Sequence, residues 1–278
     1  MKLHALTREE FAGKRWQRHG SYQFAAGQHI SPLVLTEMSK AMMALPIALV
    51  AQAQAYVPVA VMGLQPGVNW LVRPDGRWLA GYIPAALRSH PFYMARSADG
   101  QSVLCFDMDS GLLRDAQSAT DTEAFFGEDG KPSAVVSSIV EFLGSVASSQ
   151  QVTARACAAL QSHGLIQPWT IKLATPQGEK TLDGLFRVDE ARLGQLGGAE
   201  LQELVQTGAM GLAYCQLLSM QHLSVLSRFS ELQAQWRQAA ASAQQQQPAA
   251  AGLGLPSTPS GELDLEFLNR GGTLSFGA

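Results

Sequence analysis

The chain has 278 residues, 46% of them hydrophobic and 15% charged, with 20 Lys and Arg against 23 Asp and Glu for a formal net charge of −3. Soluble proteins average about 25% charged residues, so this composition excludes a disordered chain of high charge and low hydrophobicity and leaves Gln, Ser and Ala to cover much of the surface. It also excludes the overall basic excess of a nucleic-acid-binding protein, while the length suffices for one large domain with a buried core.

Residues 1–20 read as a basic arm, in which Arg8, Glu9, Glu10, Lys14, Arg15 and Arg18 break every apolar run long enough for a secretory signal, so none is expected. Ser31 as N-cap and Pro32 at the first helical position predict a helix through Leu33, Leu35, Met38, Met42 and Met43. From Ala41 to Leu64 no residue is charged, a length that would suffice for a bilayer span. Pro46 and Pro58, with Gln52 and Gln54 between them, argue instead for a helix ending before Pro46 and two buried strands, Ile47–Ala51 and Tyr56–Met62. Turns at Gln65-Pro66-Gly67, Arg73-Pro74-Asp75-Gly76 and Ala98-Asp99-Gly100 separate the short apolar runs Asn69–Val72, Arg77–Ile83, Tyr93–Arg96 and Ser102–Phe106. That spacing predicts an antiparallel meander of about five or six strands.

Residues 109–133 form a polar connection, after which the pattern turns helical: Ser133–Ser148, then Gln151–His163 stopped by Gly164. Trp169–Thr175 and Lys180–Val188 read as a second hairpin, and Asp189 with Glu190 opens a short helix. Between Gly208 and Ala241, Cys215, Leu218, His222, Val225, Phe229, Leu232 and Trp236 recur at alternating steps of three and four, a seam for lengthwise helix packing. A flexible linker over 242–262 and a short apolar tail over 263–278, carrying Phe267 and Leu268, complete the chain. The expected architecture is α+β: one domain over 21–241, with an antiparallel β-rich part at 45–108 packed against a mainly helical part at 133–241 with one extra hairpin.

Chemistry is sparse. Cys105, Cys157 and Cys215 are too scattered for a disulfide framework or a zinc site and read as free thiols of a reducing cytoplasm. No phosphate-binding glycine loop, nucleophile elbow or paired-histidine zinc motif occurs, and the calcium-loop beginning at Asp107, Asp109 and Gly111 has Ser118 where the closing Glu belongs. No metal or cofactor is expected. The densest cluster of recognition chemistry is Asn69, Trp78, Tyr82, Arg88 and His90: rigid aromatics supply contact area and an Arg fork matches a carboxylate. Those residues would bind a peptide or a small acidic ligand. The alternatives are sheet-core aromatics with Arg88 capping a carbonyl, or an enzyme in which Arg88 and His90 orient substrate and Asp107 or Asp109 acts as base.

At these same positions the sequence resembles SapC-like proteins of bacteria. The resemblance is carried by YVPVAVMG at 56–63, GVNWLV at 67–72, DGRWLAGYIP at 75–84, Leu87-Arg88 with Pro91-Phe92, and the later Phe125-Phe126, Asp129-Gly130, Pro132, GLI at 164–166 with Pro168, Ser219 and Leu223. It covers roughly residues 20–235 and contains no catalytic signature. It implies a link to surface-layer or peptide export, or to TonB-dependent uptake; together with the absent signal and the lack of a nucleophile–base pairing in the sequence, the expectation is a cytoplasmic, non-enzymatic accessory or binding protein. A protein partner, or a second copy of the chain, is expected on the terminal helix (Phe229, Leu232, Trp236) or the tail (Phe267, Leu268), with no nucleic acid and no stable membrane insertion.

Overall fold

The computed structural model describes residues 1–97, 99–115, 121–175 and 178–246. The apolar tail with Phe267 and Leu268, and all of the linker beyond 246, lie outside the described residues. The chain divides into two units, Met1–Gln233 and Ala234–Ala278; the sheets and clefts below belong to the first, and the described part of the second is the end of the last helix.

The N-terminal half opens with β1 (Leu3–Ala5), α1 (Arg8–Phe11), β2 (Lys14–Trp16), β3 (Ile30–Pro32) and α2 (Met38–Ala41), followed by β4 (Ile47–Gln52), β5 (Ala55–Val61) and α3 (Ala85–Arg88). Next come β6 (Phe92–Arg96), β7 (Ser102–Asp107), β8 (Leu113–Asp115) and β9 (Glu123–Ala124). The C-terminal half holds α4 (Ala134–Ser162), β10 (Ile166–Pro168), β11 (Ile171–Thr175), β12 (Gly178–Leu182) and β13 (Leu185–Val188). It ends in α5 (Glu190–Leu193), α6 (Gly198–Thr207), α7 (Ala209–Ser219) and α8 (Leu223–Gln246). The architecture is α+β, as the sequence predicts.

The central sheet is antiparallel in the order β10-β13-β4-β5-β3. Its middle pair is the uncharged stretch: Ile47 faces Ala60, and Ile47, Ala48, Leu49, Val59, Ala60 and Val61 are all buried. A continuous apolar run suits a strand covered on both faces. Among the described residues no helix is long and apolar enough to cross a membrane.

The helix expected from Ser31-Pro32 is instead the edge strand β3 followed by a short 3-10 turn, Leu35–Glu37, and the one-turn α2. The bond from Leu33 N–H to Pro58 O (2.9 Å) fixes the alternation, so Pro32, opposite Val59, sits at a position that donates nothing to the ladder. Proline is compatible with such an edge site. The segments Asn69–Val72 and Arg77–Ile83 are not ladder strands but arms of a loop joined by a single bridge, Val72 to Trp78. Their carbonyls find a different partner: the buried Gln233 amide of α8 donates to Trp70 O and Val72 O. Gly76 closes the loop's turn at φ +83, where a Cβ would collide with Ser21 Oγ.

Residues 1–20 are built into the structure. Phe11 and Trp16 are buried with Phe92, Phe106, Phe125, Val136 and Leu143 in a small second core. Its rings meet edge to face, Trp16 on Phe92 at 4.8 Å and Phe11 on Phe125 at 5.0 Å, the arrangement that aromatic quadrupoles favour. Two small sheets cover it, in the orders β1-β7-β6 and β8-β2-β9.

The two helices expected at 133–148 and 151–163 are one, the 29-residue α4. Two buried polar residues near the expected gap serve the turn beside them. Thr153 Oγ1 accepts Leu35 N–H at 2.7 Å while donating to Ser149 O, and Ser149 Oγ meets Thr36 Oγ1 at 3.0 Å. The predicted terminal helix is divided by a 3-10 turn, Met220–His222. Its buried stripe is Leu212, Gln216, Ser219, Leu226 and Gln233, so the heptad seam is only partly covered: Leu218, Val225 and Leu232 stay 54%, 40% and 37% exposed. The 3-10 turn rotates the following helix, which strict heptad counting does not anticipate.

Gln216 and Ser219 stitch α7 to the central sheet. The Gln216 amide accepts from Val188 N–H (2.9 Å) and donates to Ile47 O (3.2 Å), and Ser219 Oγ accepts from Ile47 N–H (2.9 Å). Replacing the amide leaves two buried backbone groups without partners, each costing about 1–3 kcal/mol. Gln216→Leu is therefore expected to lower the urea unfolding free energy by about 2–4 kcal/mol, whereas Gln221→Leu, on an exposed neighbour, changes it by less than about 0.5 kcal/mol.

Candidate functional site

Glu37 organises the residues around α3. Its side chain folds back so that Oε1 accepts Val34 N–H at 3.0 Å, while Oε2 accepts Ala85 N–H at 2.8 Å and the Tyr82 hydroxyl at 2.7 Å. Three donors on one buried carboxylate replace the water it has lost. The Tyr82 pKa is driven well above its usual value, first by burial and then by the bond to Glu37, so the phenol remains a donor.

Arg88 extends from the end of α3 with its guanidinium 5.0 Å from the Phe142 ring centre and 5.8 Å from that of Tyr82. Its Nη2 reaches the Tyr82 oxygen at 3.5 Å. It forms no ion pair with a carboxylate among the described residues. Two residues on, His90 is buried, stacked on Phe24 at 3.8 Å, with Nδ1 3.3 Å from the Tyr93 hydroxyl. Burial pushes its pKa down to about 4, helped by the neighbouring His19 and opposed by the Asp107 carboxylate. His19, 5.8 Å from His90 between ring centres, is lowered by burial as well. Both rings are thus neutral near pH 7.

These groups border a cleft of about 520 Å³. One side is Trp16, Arg18 and His19, at and just beyond β2; another is Arg88, His90 and Phe92; the third is the N-terminal half of α4 with Val135, Ile139 and Phe142. Trp16 Nε1 and His19 Nδ1 are buried with no hydrogen-bond partner. Among the described residues no carboxylate lines the cleft. Its two hydroxyls are already committed, Ser89 Oγ to Ala86 O and Ser138 Oγ to Ala134 O, so neither is paired with a histidine as a nucleophile would be. The arrangement can hold an anionic group at its rim against apolar walls.

Of the five residues singled out in the sequence, Arg88 and His90 line the cleft and Tyr82 touches Arg88. Asn69 is buried elsewhere, donating to Ala25 O (3.1 Å) and accepting Leu71 N–H (2.9 Å), a clamp on its own loop. Trp78 donates from Nε1 to Tyr82 O (2.9 Å) and packs on Tyr22, supporting the loop from behind. Asp107, the acid considered as a base, accepts backbone N–H groups from Lys2 and Asp109, and neither aspartate borders the cleft. Trp16, Arg18, His19 and Phe142 were not anticipated. The stripe Val135, Ile139, Phe142 and Val146 was readable at helical spacing, but a three-residue strand such as β2 leaves no periodicity to read. On α8, Phe229 is half-buried against the main core, Trp236 is half-buried and Leu232 is exposed. No group of His, Cys, Asp and Glu among the described residues could hold a metal ion.

The SapC family model matches residues 6–226, most of the chain, and the chain belongs to the SapC family. That span includes both sides of the cleft, the Trp16–His19 segment as well as Arg88 and His90. No curated protein and no solved structure matches the chain.

A depressed histidine pKa makes stability pH-dependent, because the unfolded state binds the proton first. Stability is full above the ordinary value of 6.5 and falls as pH drops from there toward about 4. His90 contributes roughly 2–3 kcal/mol to that fall. His90→Gln is expected to flatten the pH dependence of urea unfolding between those limits; a profile as steep as that of the parent protein would contradict the assignment.

Proposed function

We propose that the chain is a non-enzymatic binding protein that takes a small ligand, an acidic group on an apolar body, in the Arg88–His90 cleft. In this reading it acts as an accessory to an envelope-associated export or uptake system, the role that the resemblance to SapC-like proteins implies. The observation that carries the binding role is Arg88, a cation without an ion pair among the described residues, held over two aromatic rings at a cleft that no described carboxylate lines. A guanidinium presents two parallel donors to a carboxylate, and one restrained by aromatic faces loses little further freedom on binding. The cleft lies in the size range of small-molecule sites, about 300–1,000 Å³. The absence of a lining acid and of a free hydroxyl–histidine pair among the described residues favours binding over catalysis.

Phenylacetate and hippurate serve as probes in calorimetric titrations, with benzylamine and benzyl alcohol as controls. The acids are expected to bind and the controls to fail, and Arg88→Ala to weaken the acids by about 10–100-fold, the worth of a hydrogen bond to a charged group, without changing thermal stability. Equal binding of benzylamine, or undiminished binding by a stable Arg88→Ala protein, would remove the proposal.

For the accessory role the proposed contact surface is the set of exposed apolar residues Leu218 on α7 and Val225 and Leu232 on α8. Val225 and Leu232, seven residues apart on α8, stay exposed, and such a pair favours a helical partner, here a second copy of the chain. Light scattering is expected to give a dimer that Leu218→Gln with Leu232→Gln converts to a monomer; a monomeric parent protein rejects self-association.

A further inference from the structure

A second cavity, of about 310 Å³, lies against the same short helix: Ala86 of α3 borders it, as Arg88 borders the first. It exists because β3 is short. That strand accompanies β5 only over Val59–Val61 and parts from it after Leu33 donates to Pro58 O. The other half of β5 has β4 on one side and, among the described residues, no strand on the other. The bond from Val61 N–H to Pro46 O sets the alternation along β5, so Val57 and Ala55 turn their backbone groups to β4. The N–H and C=O of Tyr56 consequently face the open edge, while Pro58 has no N–H to offer there.

The space beside this edge is closed by α4. Leu33, Val34 and Pro58 are buried in its floor, Val146 and Ala154 form the helical wall, and the neutral amides of Gln52 and Gln150 stand exposed at the rim. Its two buried polar side chains are already satisfied. Glu37 carries its three donors, and the Thr153 hydroxyl both accepts from Leu35 N–H and donates to Ser149 O. The one charge in the lining, the Glu37 carboxylate, repels an anion, and no Lys or Arg borders the cavity among the described residues, so an acid taken in there would lose its water for nothing. Apolar cavities of about 150 Å³ already admit benzene, and this one has about twice that volume.

We infer that this cavity is a second binding site, for an uncharged amphiphile: an alkyl or aryl body lies between β5 and α4, with an amide or hydroxyl head at the Tyr56 backbone. The site is distinct from the Arg88 cleft in charge and in ligand class. The neutral fluorophore N-phenylnaphthylamine tests it on the full chain at neutral pH. Fluorescence is expected to rise on mixing, and decanol and decanamide to displace the probe, with decanoate at least about tenfold weaker. Ala154→Trp, at an exposed helical position pointing its bulk into the gap, is expected to abolish uptake with an unchanged melting temperature; Val146→Phe provides the same block should the first variant lose stability. Arg88→Ala is expected to leave uptake intact, which separates this site from the acidic-ligand cleft. Displacement by decanoate as strong as by decanol, or full uptake by a stably folded blocked variant, would overturn the assignment.

Discussion

A single buried carboxylate positions the residues on which the functional reading rests. Helix α3 has four residues, far below the length at which a helix is stable alone, so its place must be imposed from outside. Glu37 imposes it by accepting the first N–H of α3 at Ala85 and the hydroxyl of Tyr82, contacts that span 48 and 45 residues of chain. The same side chain closes its own turn at Val34. Arg88 and His90 inherit their positions from that anchor. Without it, two backbone N–H groups and a phenol would be left without their acceptor in the interior.

The second constraint is the length of α4. At about 1.5 Å per residue its 29 residues extend beyond either core alone. Val136 and Leu143 in its first half pack into the small aromatic core, and Ala156, Cys157 and Leu160 in its second half pack into the main one. Where one helix serves two cores, the surface between them is not filled by either. The Arg88 cleft opens along the first half of α4 and the apolar cavity along the second, with α3 bordering both. The clefts follow from that shared wall.

What the sequence made legible was local and strongly patterned. The apolar run in β4 and β5, the Asp189 cap on α5, the hairpin of β6 and β7 and the Gly164 stop of α4 each carry their signal within a few residues. Misreadings arose where a side chain or backbone group is satisfied at long range. Ser31 and Pro32 mimic a helix start, yet their neighbour is β5. The helix expected to end at Ser148 runs on, and Ser149 and Thr153 in its middle serve the turn at Leu35 and Thr36. In the site, Arg88 and His90 were identifiable as a polar pair amid apolar sequence. Trp16 and His19 were not, because about 70 residues of chain separate them from His90 and only the fold brings the rings within reach.

The different characters of the two cavities trace to one hydroxyl. Tyr82 lies between Glu37, which borders the apolar cavity, and Arg88, which borders the cleft. With its pKa raised by burial and by Glu37, the phenol keeps its proton and donates a hydrogen bond to the carboxylate. What it can offer Arg88 is a ring face and an oxygen lone pair at 3.5 Å, a weak neutral contact. A direct Glu37–Arg88 ion pair would have neutralised the guanidinium and left the cleft with no charge to place on a ligand. Interposing a protonated tyrosine satisfies the acid on one side while leaving the cation available on the other. The same fold can therefore present one largely apolar cavity bordered by the acid and one cationic cleft, linked by a hydrogen-bonded relay.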